Sequence, residues 1–261
     1  MKVGYIQNNP EFGNKENNFI EVLELSKSIK ADLIVLPELF ATGYTFVSKE
    51  EAVTLGEEAE GMTFDFLSTL SQKTDAVIVA GFVEKDKDKI YNSSMMVYQK
   101  KLIGVYRKLH LFYKENLWFS PGDLPLKGYN VKDCNIGMMI CFDWFFPEVA
   151  RTLALQNCDV LAHPANLVLP YCQQSMMTRC IENKIFAVTA NRIGNEIRGN
   201  DNFNFTGASQ ITSQIGKILS SAPIDKPHVD VVEIDINLAR DKKINSFNHL
   251  LSDRRSEFYN L

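Results

Sequence analysis

Cys141 is the side chain with the most chemical promise in this chain. It closes the apolar run 135–140 and precedes Phe142-Asp143-Trp144-Phe145-Phe146-Pro147-Glu148, where Pro147 suits a first helical turn and Asp143 and Glu148 are acids near its positive end. A thiol on such a strand-to-helix passage is presented to substrate, and the backbone N–H of the next residue can face an oxyanion. Taken alone, a cysteine is more often a buried structural residue. Two further reactive side chains also follow apolar runs. Glu38 comes directly after Leu33-Ile34-Val35-Leu36-Pro37, where partial burial suits a general base. Lys108, in Tyr106-Arg107-Lys108-Leu109-His110-Leu111-Phe112, can aim an ammonium at developing negative charge. Singly, the first reads as a loop carboxylate and the second as a solvated basic edge. A Cys–His dyad would draw on His110, His163, His228 or His249, and none of these carries a recognisable partner motif. His163 fits a core histidine, while His110, two residues beyond Lys108, fits an orienting role for it.

The elements that must position these residues alternate between helix and strand. Residues 3–7, 33–36, 76–81, 135–140, 160–163, 186–191, 208–212 and 229–234 read as strands, and 16–28, 63–73, a segment opening at Pro147, and 172–183 read as helices. Residues 92–98 and 102–107 read as hairpin arms joined across Gln99-Lys100-Lys101. This alternation is the α/β signature, and sites in such folds lie at strand ends. A weak internal echo supports two facing halves: Ala31-Asp32, a strand, then Pro37-Glu38, against Cys158-Asp159, a strand, then Pro164-Ala165-Asn166. No linker or low-complexity tract divides them, so residues 1–261 are expected to form one domain. Residues 241–261, rich in charge and Asn with scattered Leu and Phe, are expected to be an arm laid over a dimer surface.

Composition bounds the function classes. The 261 residues are 45% hydrophobic and 23% charged, ordinary for a folded soluble protein. Lys and Arg number 28 against 32 Asp and Glu, and a net charge of −4 offers no general attraction for nucleic acid or anionic lipid. The longest uncharged stretch, 160–178, carries two prolines and several polar side chains, so no membrane span is expected. The first residues lack the apolar centre of a secretory signal, so a cytoplasmic location is expected. Five cysteines without a CxxC pair then read as reduced thiols, without structural zinc. The sequons Asn92-Ser93-Ser94 and Asn204-Phe205-Thr206 read as chance matches.

Glu38, Lys108 and Cys141 in this order, with Tyr-Arg-Lys-x-His-Leu around the lysine and Pro147-Glu148-Val149-Ala150-Arg151 after the cysteine, closely resemble the nitrilase, or carbon-nitrogen hydrolase, superfamily. The resemblance extends through His163-Pro164-Ala165-Asn166-Leu167, Arg179-Cys180-Ile181-Glu182-Asn183, Thr189-Ala190-Asn191-Arg192 and Gly207-Ala208-Ser209, nearly the whole chain. Ser213 stands where many members have proline, a change confined to a turn. The resemblance implies a four-layer α-β-β-α sandwich, doubled into an eight-layer homodimer or a higher assembly. It implies a Glu-Lys-Cys triad: Glu38 takes the Cys141 proton, Cys141 attacks carbon, and Lys108 with the Phe142 backbone N–H holds the oxyanion. Glu115 matches an additional acid that orients Lys108 or bonds substrate, and Tyr44, Trp144 and Asn166 are expected to line the pocket. No metal or organic cofactor is required.

Relatives that act on N-carbamoyl amino acids carry arginines close behind the cysteine, because a substrate carboxylate needs a bidentate partner. Here Phe142, Trp144, Phe145 and Phe146 stand instead, an apolar rim that penalises a buried carboxylate. The expected substrate is therefore a small neutral aliphatic nitrile or amide. An arginine reaching in from elsewhere, such as Arg192 or Arg198, would undo that inference. Two alternatives stay open: an N-carbamoyl amine whose cationic tail meets the aromatic wall, and an idle interaction protein that keeps the fold with a relic site. Fast alkylation of one thiol among five separates an activated Cys141 from a relic.

Overall fold

Short apolar runs that can be buried on both faces organise this chain into two parallel strand triads. In a computed structural model, which describes residues 1–259, the first half runs β1 (Lys2–Gln7), α1 (Lys15–Ser26), β2 (Leu33–Val35), α2 (Lys49–Leu55), α3 (Met62–Thr74), β3 (Val77–Asp86), β4 (Lys89–Tyr98) and β5 (Lys101–Arg107). The second half begins with α4 (Glu115–Trp118), β6 (Gly128–Val131), β7 (Cys134–Met138), a 3-10 turn (Cys141–Phe145), α5 (Pro147–Leu155), β8 (Val160–Ala165) and α6 (Cys172–Asn183). It continues with β9 (Phe186–Asn191), β10 (Asn195–Arg198), β11 (Asp201–Asn204), β12 (Gln210–Thr212), β13 (Ile218–Ser221), β14 (His228–Glu233) and α7 (Asn237–Arg240).

One sheet has the order β14-β1-β2-β3-β4-β5 and the other β13-β12-β9-β8-β7-β6. Strands β1-β2-β3 are parallel, as are β7-β8-β9, and every flanking pair is antiparallel. The sequence echo therefore matches β2 with β8, the central strand of each triad. The late strand β14 returns to close the first sheet beside β1, with Lys2 opposite Glu233.

Side-chain alternation sorts each triad into two faces. Val3, Tyr5, Leu33, Val35, Val77 and Val79 join Ile136, Met138 and Val188 in one buried cluster between the sheets. Ile6, Ile34, Ile78 and Ala80 turn the other way, onto Phe19 and Val22 of α1 and Leu67 and Leu70 of α3. Helices α5 and α6 cover the second sheet with Val149, Leu153, Met176 and Cys180, spaced at helical intervals. The layers thus run α-β-β-α, and each fully withdrawn Val, Leu or Ile contributes about 1.5–3 kcal/mol relative to exposure.

The expected strands and helices are present, with several additions. Strand β3 runs five residues past 81 to Asp86, turning into β4 through Lys87-Asp88. The β4–β5 turn is tighter than expected, because Tyr98 and Lys101 already pair across Gln99-Lys100. Helices α2, α4 and α7, the β10–β11 hairpin, β6 and β13 lie in segments to which the sequence pattern assigns no element. Ser213 opens a turn in which Gly216 N donates to Ser213 O at 2.8 Å. In the expected carboxy-terminal arm, Lys242 Nζ donates to Asn183 O at 2.9 Å and Lys184 O at 2.7 Å, fastening the segment to the end of α6. Residues 260 and 261 of that arm lie outside the described residues. Among the described residues no helix is long and apolar enough to cross a membrane. All five cysteines are free and buried.

Candidate active site

Three strand ends deliver the three reactive side chains to one place. Glu38 follows β2, and the chain turns at once through Leu39, whose φ of 49° is left-handed. Strand β3 passes so close behind that a Cβ on Gly81 would lie 2.5 Å from Glu38 Cα. Lys108 follows β5, its backbone N–H held by Asn92 O at 2.9 Å. Cys141 follows β7 and opens the 3-10 turn with φ 40°, a conformation that persists only where surroundings over-determine it.

Glu38 and Lys108 are fully buried and in direct contact. Lys108 Nζ donates to Glu38 Oε1 at 2.6 Å and to Glu115 Oε1 at 2.8 Å. Glu38 Oε1 also accepts from Asn92 Nδ2 at 2.7 Å, and Glu115 Oε1 from the Tyr44 hydroxyl at 2.7 Å. Each carboxylate thus has one anchored oxygen, and the other, Oε2, is buried without a partner. Burial pulls the Lys108 pKa down, but Glu115 and Glu38 outweigh it and hold the ammonium above its ordinary value. Burial pushes Glu115 up, against the opposing pull of Lys108. Burial, reinforced by Glu38, pushes the Cys141 thiol well up while Lys108 opposes, so the resting sulfur carries its proton. The Tyr44 hydroxyl is raised by burial and by Glu115, which keeps it a donor.

Cys141 opens onto a small recess walled by Phe112, Phe142, Trp144 and residues 167–169. Asn166 also lines it, with both side-chain polar atoms buried and unpartnered, and its carbonyl lies 3.7 Å from the Cys141 sulfur. Trp144 and Asn166 thus both border the recess beside Cys141. Tyr44 does not line this recess: it reaches the cluster through Glu115 and borders a neighbouring hollow with Tyr113, Asp201 and Phe203. The expected rim is narrower than four aromatics, since Phe145 is exposed and Phe146 stacks on His110 at 3.6 Å. Asn92, Phe112 and the 167–169 wall were missed. The buried polar run Asn92-Ser93-Ser94 inside an otherwise apolar strand is the signal that points to Asn92.

The histidines separate clearly. His110 does not orient Lys108, because Lys108 points inward to the carboxylates while the His110 ring turns to Asp143, with Nδ1 2.8 Å from Oδ1. Asp143 Oδ2 in turn accepts from the Tyr106 hydroxyl at 2.7 Å and from Ile140 N at 2.9 Å, tying the Cys141 turn to the Lys108 segment. His163 is a buried, satisfied core histidine. Its Nε2 lies 3.0 Å from the Cys141 carbonyl oxygen and its Nδ1 3.1 Å from Thr189 Oγ1, so it faces the nucleophile's backbone and not its thiol. Among the described residues no group of three or more His, Cys, Asp or Glu side chains is arranged to hold a metal ion.

Residues 2–243 match the family model described as carbon-nitrogen hydrolase. The chain belongs to that family. This carbon-nitrogen hydrolase is 46% identical over 263 residues to a protein of Pyrococcus abyssi (strain GE5 / Orsay) named nitrilase, with 99% of each chain covered. It is 31% identical to the N-carbamoylputrescine amidase of Solanum lycopersicum, over 88% of this chain and 83% of that one. The solved structure of a carbon-nitrogen hydrolase from Helicobacter pylori G27 superposes with a TM-score of 0.89 at 26% identity, covering 100% of this chain and 97% of the other. The two helix-flanked sheets are accordingly the nitrilase fold.

Proposed function

We propose that the chain is a cysteine-dependent hydrolase of small, neutral aliphatic nitriles or amides that releases ammonia. One observation carries this reading: Glu38 and Lys108 form a fully buried ion pair beside Cys141, while Glu38 Oε2 stays unengaged. A thiol that rests protonated needs a base at the moment of attack, and a fixed, unpaired carboxylate oxygen suits that task.

For an amide, the Cys141 proton passes to Glu38 as sulfur bonds to carbon, and the carbonyl π electrons move to oxygen. Lys108 and the Phe142 backbone N–H stabilise that oxyanion. Its collapse breaks the C–N bond, Glu38 returns the proton to nitrogen, and ammonia leaves a thioester. Water, deprotonated by Glu38, then attacks the thioester and regenerates the thiol with release of the acid. A nitrile first gives a thioimidate, whose hydration and loss of ammonia lead to the same thioester. Glu115 keeps the Lys108 ammonium charged and fixed, and the free amide of Asn166 is the polar contact for substrate.

The recess supports a small neutral substrate. Its walls are largely apolar, with Phe112, Phe142, Trp144 and Leu167 around Cys141 and Asn166 as the uncharged polar side chain. Both arginines able to supply a carboxylate partner are committed elsewhere. Arg192 is buried against Glu196 at 2.9 Å, and Arg198 is held by Glu51 at 2.8 Å and Thr45 O at 2.8 Å. A second reading, an N-carbamoyl amine, draws on the neighbouring hollow, where the unpaired Glu115 Oε2 and the rings of Tyr44, Tyr113 and Phe203 suit a cationic tail. The idle-protein reading would have to explain why a buried Glu38–Lys108 ion pair persists beside a cysteine that lines a recess. The eight-layer homodimer belongs to the same proposal, supported by the exposed Ile244, Phe247, Phe258 and Tyr259 on the carboxy-terminal arm. Light scattering of the purified chain tests the dimer.

Ammonia release from aliphatic nitriles, short amides, N-carbamoyl amines and N-carbamoyl amino acids, in wild type and Cys141→Ala, tests the activity. Turnover of a neutral class that vanishes in the variant is expected. Preference for the carboxylated class would overturn the substrate assignment.

A further inference from the structure

The proposed oxyanion donor is one face of a single peptide group, and the structure shows what holds its other face. The peptide joining Cys141 to Phe142 is planar and trans, so its C=O and N–H point in opposite directions. Fixing the carbonyl therefore fixes the N–H. The Cys141 carbonyl oxygen lies 3.0 Å from His163 Nε2. An oxygen without a proton can only accept, so Nε2 must carry the hydrogen. A neutral ring then has a bare Nδ1, and that nitrogen accepts from the Thr189 hydroxyl at 3.1 Å. Thr189 sits directly opposite His163 in the parallel β8–β9 register. Burial drives the imidazole down to about 4, which keeps the ring neutral through the working range.

We infer that His163, with its tautomer set by Thr189, is a positioning residue for the oxyanion site: it clamps the Cys141 carbonyl so that the Phe142 N–H faces the recess. This rests on the cysteine-hydrolase reading and goes one residue beyond it. The clamp answers a need visible in the backbone, since Cys141 has φ 40° and a left-handed residue on a short turn is prone to peptide rotation without a fixed partner. It also accounts for a buried histidine beside the nucleophile that takes no proton from the thiol. Loss of the Thr189 hydroxyl frees the tautomer. With hydrogen on Nδ1, the Nε2 lone pair would face the carbonyl lone pairs and repel the peptide out of place.

The test compares wild type with His163→Leu, His163→Gln and Thr189→Val, by two rates. The first is steady-state turnover of the best substrate from the panel. The second is alkylation of Cys141 by iodoacetamide, in which sulfur bonds to carbon, iodide leaves and the thiol proton goes to Glu38, with no oxyanion formed. Loss of an oxyanion donor lowers kcat by about 10²–10³. His163→Leu is expected to approach that loss with KM and alkylation rate little changed. His163→Gln, whose amide can still donate to the carbonyl, should recover about tenfold or more over leucine. Thr189→Val should lower kcat by a smaller factor, again without slowing alkylation. Wild-type kcat in His163→Leu or Thr189→Val would overturn the inference, as would alkylation falling in step with turnover. If His163→Leu does not fold, Thr189→Val and His163→Gln decide on the same criteria. Silence of the wild type on every substrate class would instead overturn the hydrolase reading, and the inference with it.

Discussion

Replacing Lys108 with methionine, an unbranched side chain of similar length, removes the ammonium that bridges the buried carboxylates of Glu38 and Glu115. Glu38 would keep Asn92 Nδ2 at 2.7 Å and Glu115 the Tyr44 hydroxyl at 2.7 Å, so each retains one donor and loses its charge partner. Removing one member of a buried ion pair typically costs about 3–5 kcal/mol. Neutralisation limits that cost, because two facing carboxylates do not both stay ionised. The pair takes up a proton, and Glu115, already pushed up by burial, is placed to hold it. A carboxyl group whose folded pKa exceeds its unfolded value, about 4.3, leaves stability intact below that value. As pH rises, the unfolded state releases its proton first, and stability falls by about 1.4 kcal/mol per pH unit per proton. Over pH 5 to 7.5 that amounts to about 3 kcal/mol for one proton. Urea unfolding at pH 5, 6 and 7.5, followed by the fluorescence of Trp118 and Trp144, should show the variant losing stability relative to wild type as pH rises, by up to about 3 kcal/mol between pH 5 and 7.5. A separation independent of pH would refute the claim that this ammonium balances the two carboxylates.

Asn166→Ala removes two buried, unpartnered polar atoms from the recess, so kcat/KM should fall about tenfold or more while the urea midpoint holds or rises. Gly81→Ala drives a methyl group to 2.5 Å from Glu38 Cα, and should cost about 1–3 kcal/mol in stability and lower kcat by displacing the base. Cys141 lines a recess while Cys134, Cys158, Cys172 and Cys180 are buried in the core, so peptide mass mapping after a brief native iodoacetamide pulse should find Cys141 modified and the other four reacting only in urea.

The parallel triads were readable because 33–36, 160–163 and 186–191 are short, unbroken apolar runs, and strands buried on both faces need such sequences. The continuation of β3 to Asp86 was hidden for the opposite reason. Its buried Glu84 looks like loop sequence until Arg107, 2.6 Å away on β5, supplies the countercharge. The β10–β11 hairpin is polar and half-exposed, and only pairing across Asn195 and Asn204 reveals it. At the site, the strand-end positions of Glu38, Lys108 and Cys141 were legible as local pattern. The Asn92 anchor, the Phe112 wall and the Asp143 attachment of His110 are tertiary contacts, and no periodicity encodes which way a side chain turns after a strand ends.

The claim on which the rest depends is that Cys141 forms a covalent bond with substrate carbon. Acid quenching of the wild type during turnover of its best amide or nitrile, followed by peptide mass analysis, measures this directly. The account predicts an acyl increment on the peptide containing Cys141, and no ammonia from Cys141→Ala. Turnover that persists in Cys141→Ala, or an increment on a different residue, would contradict it.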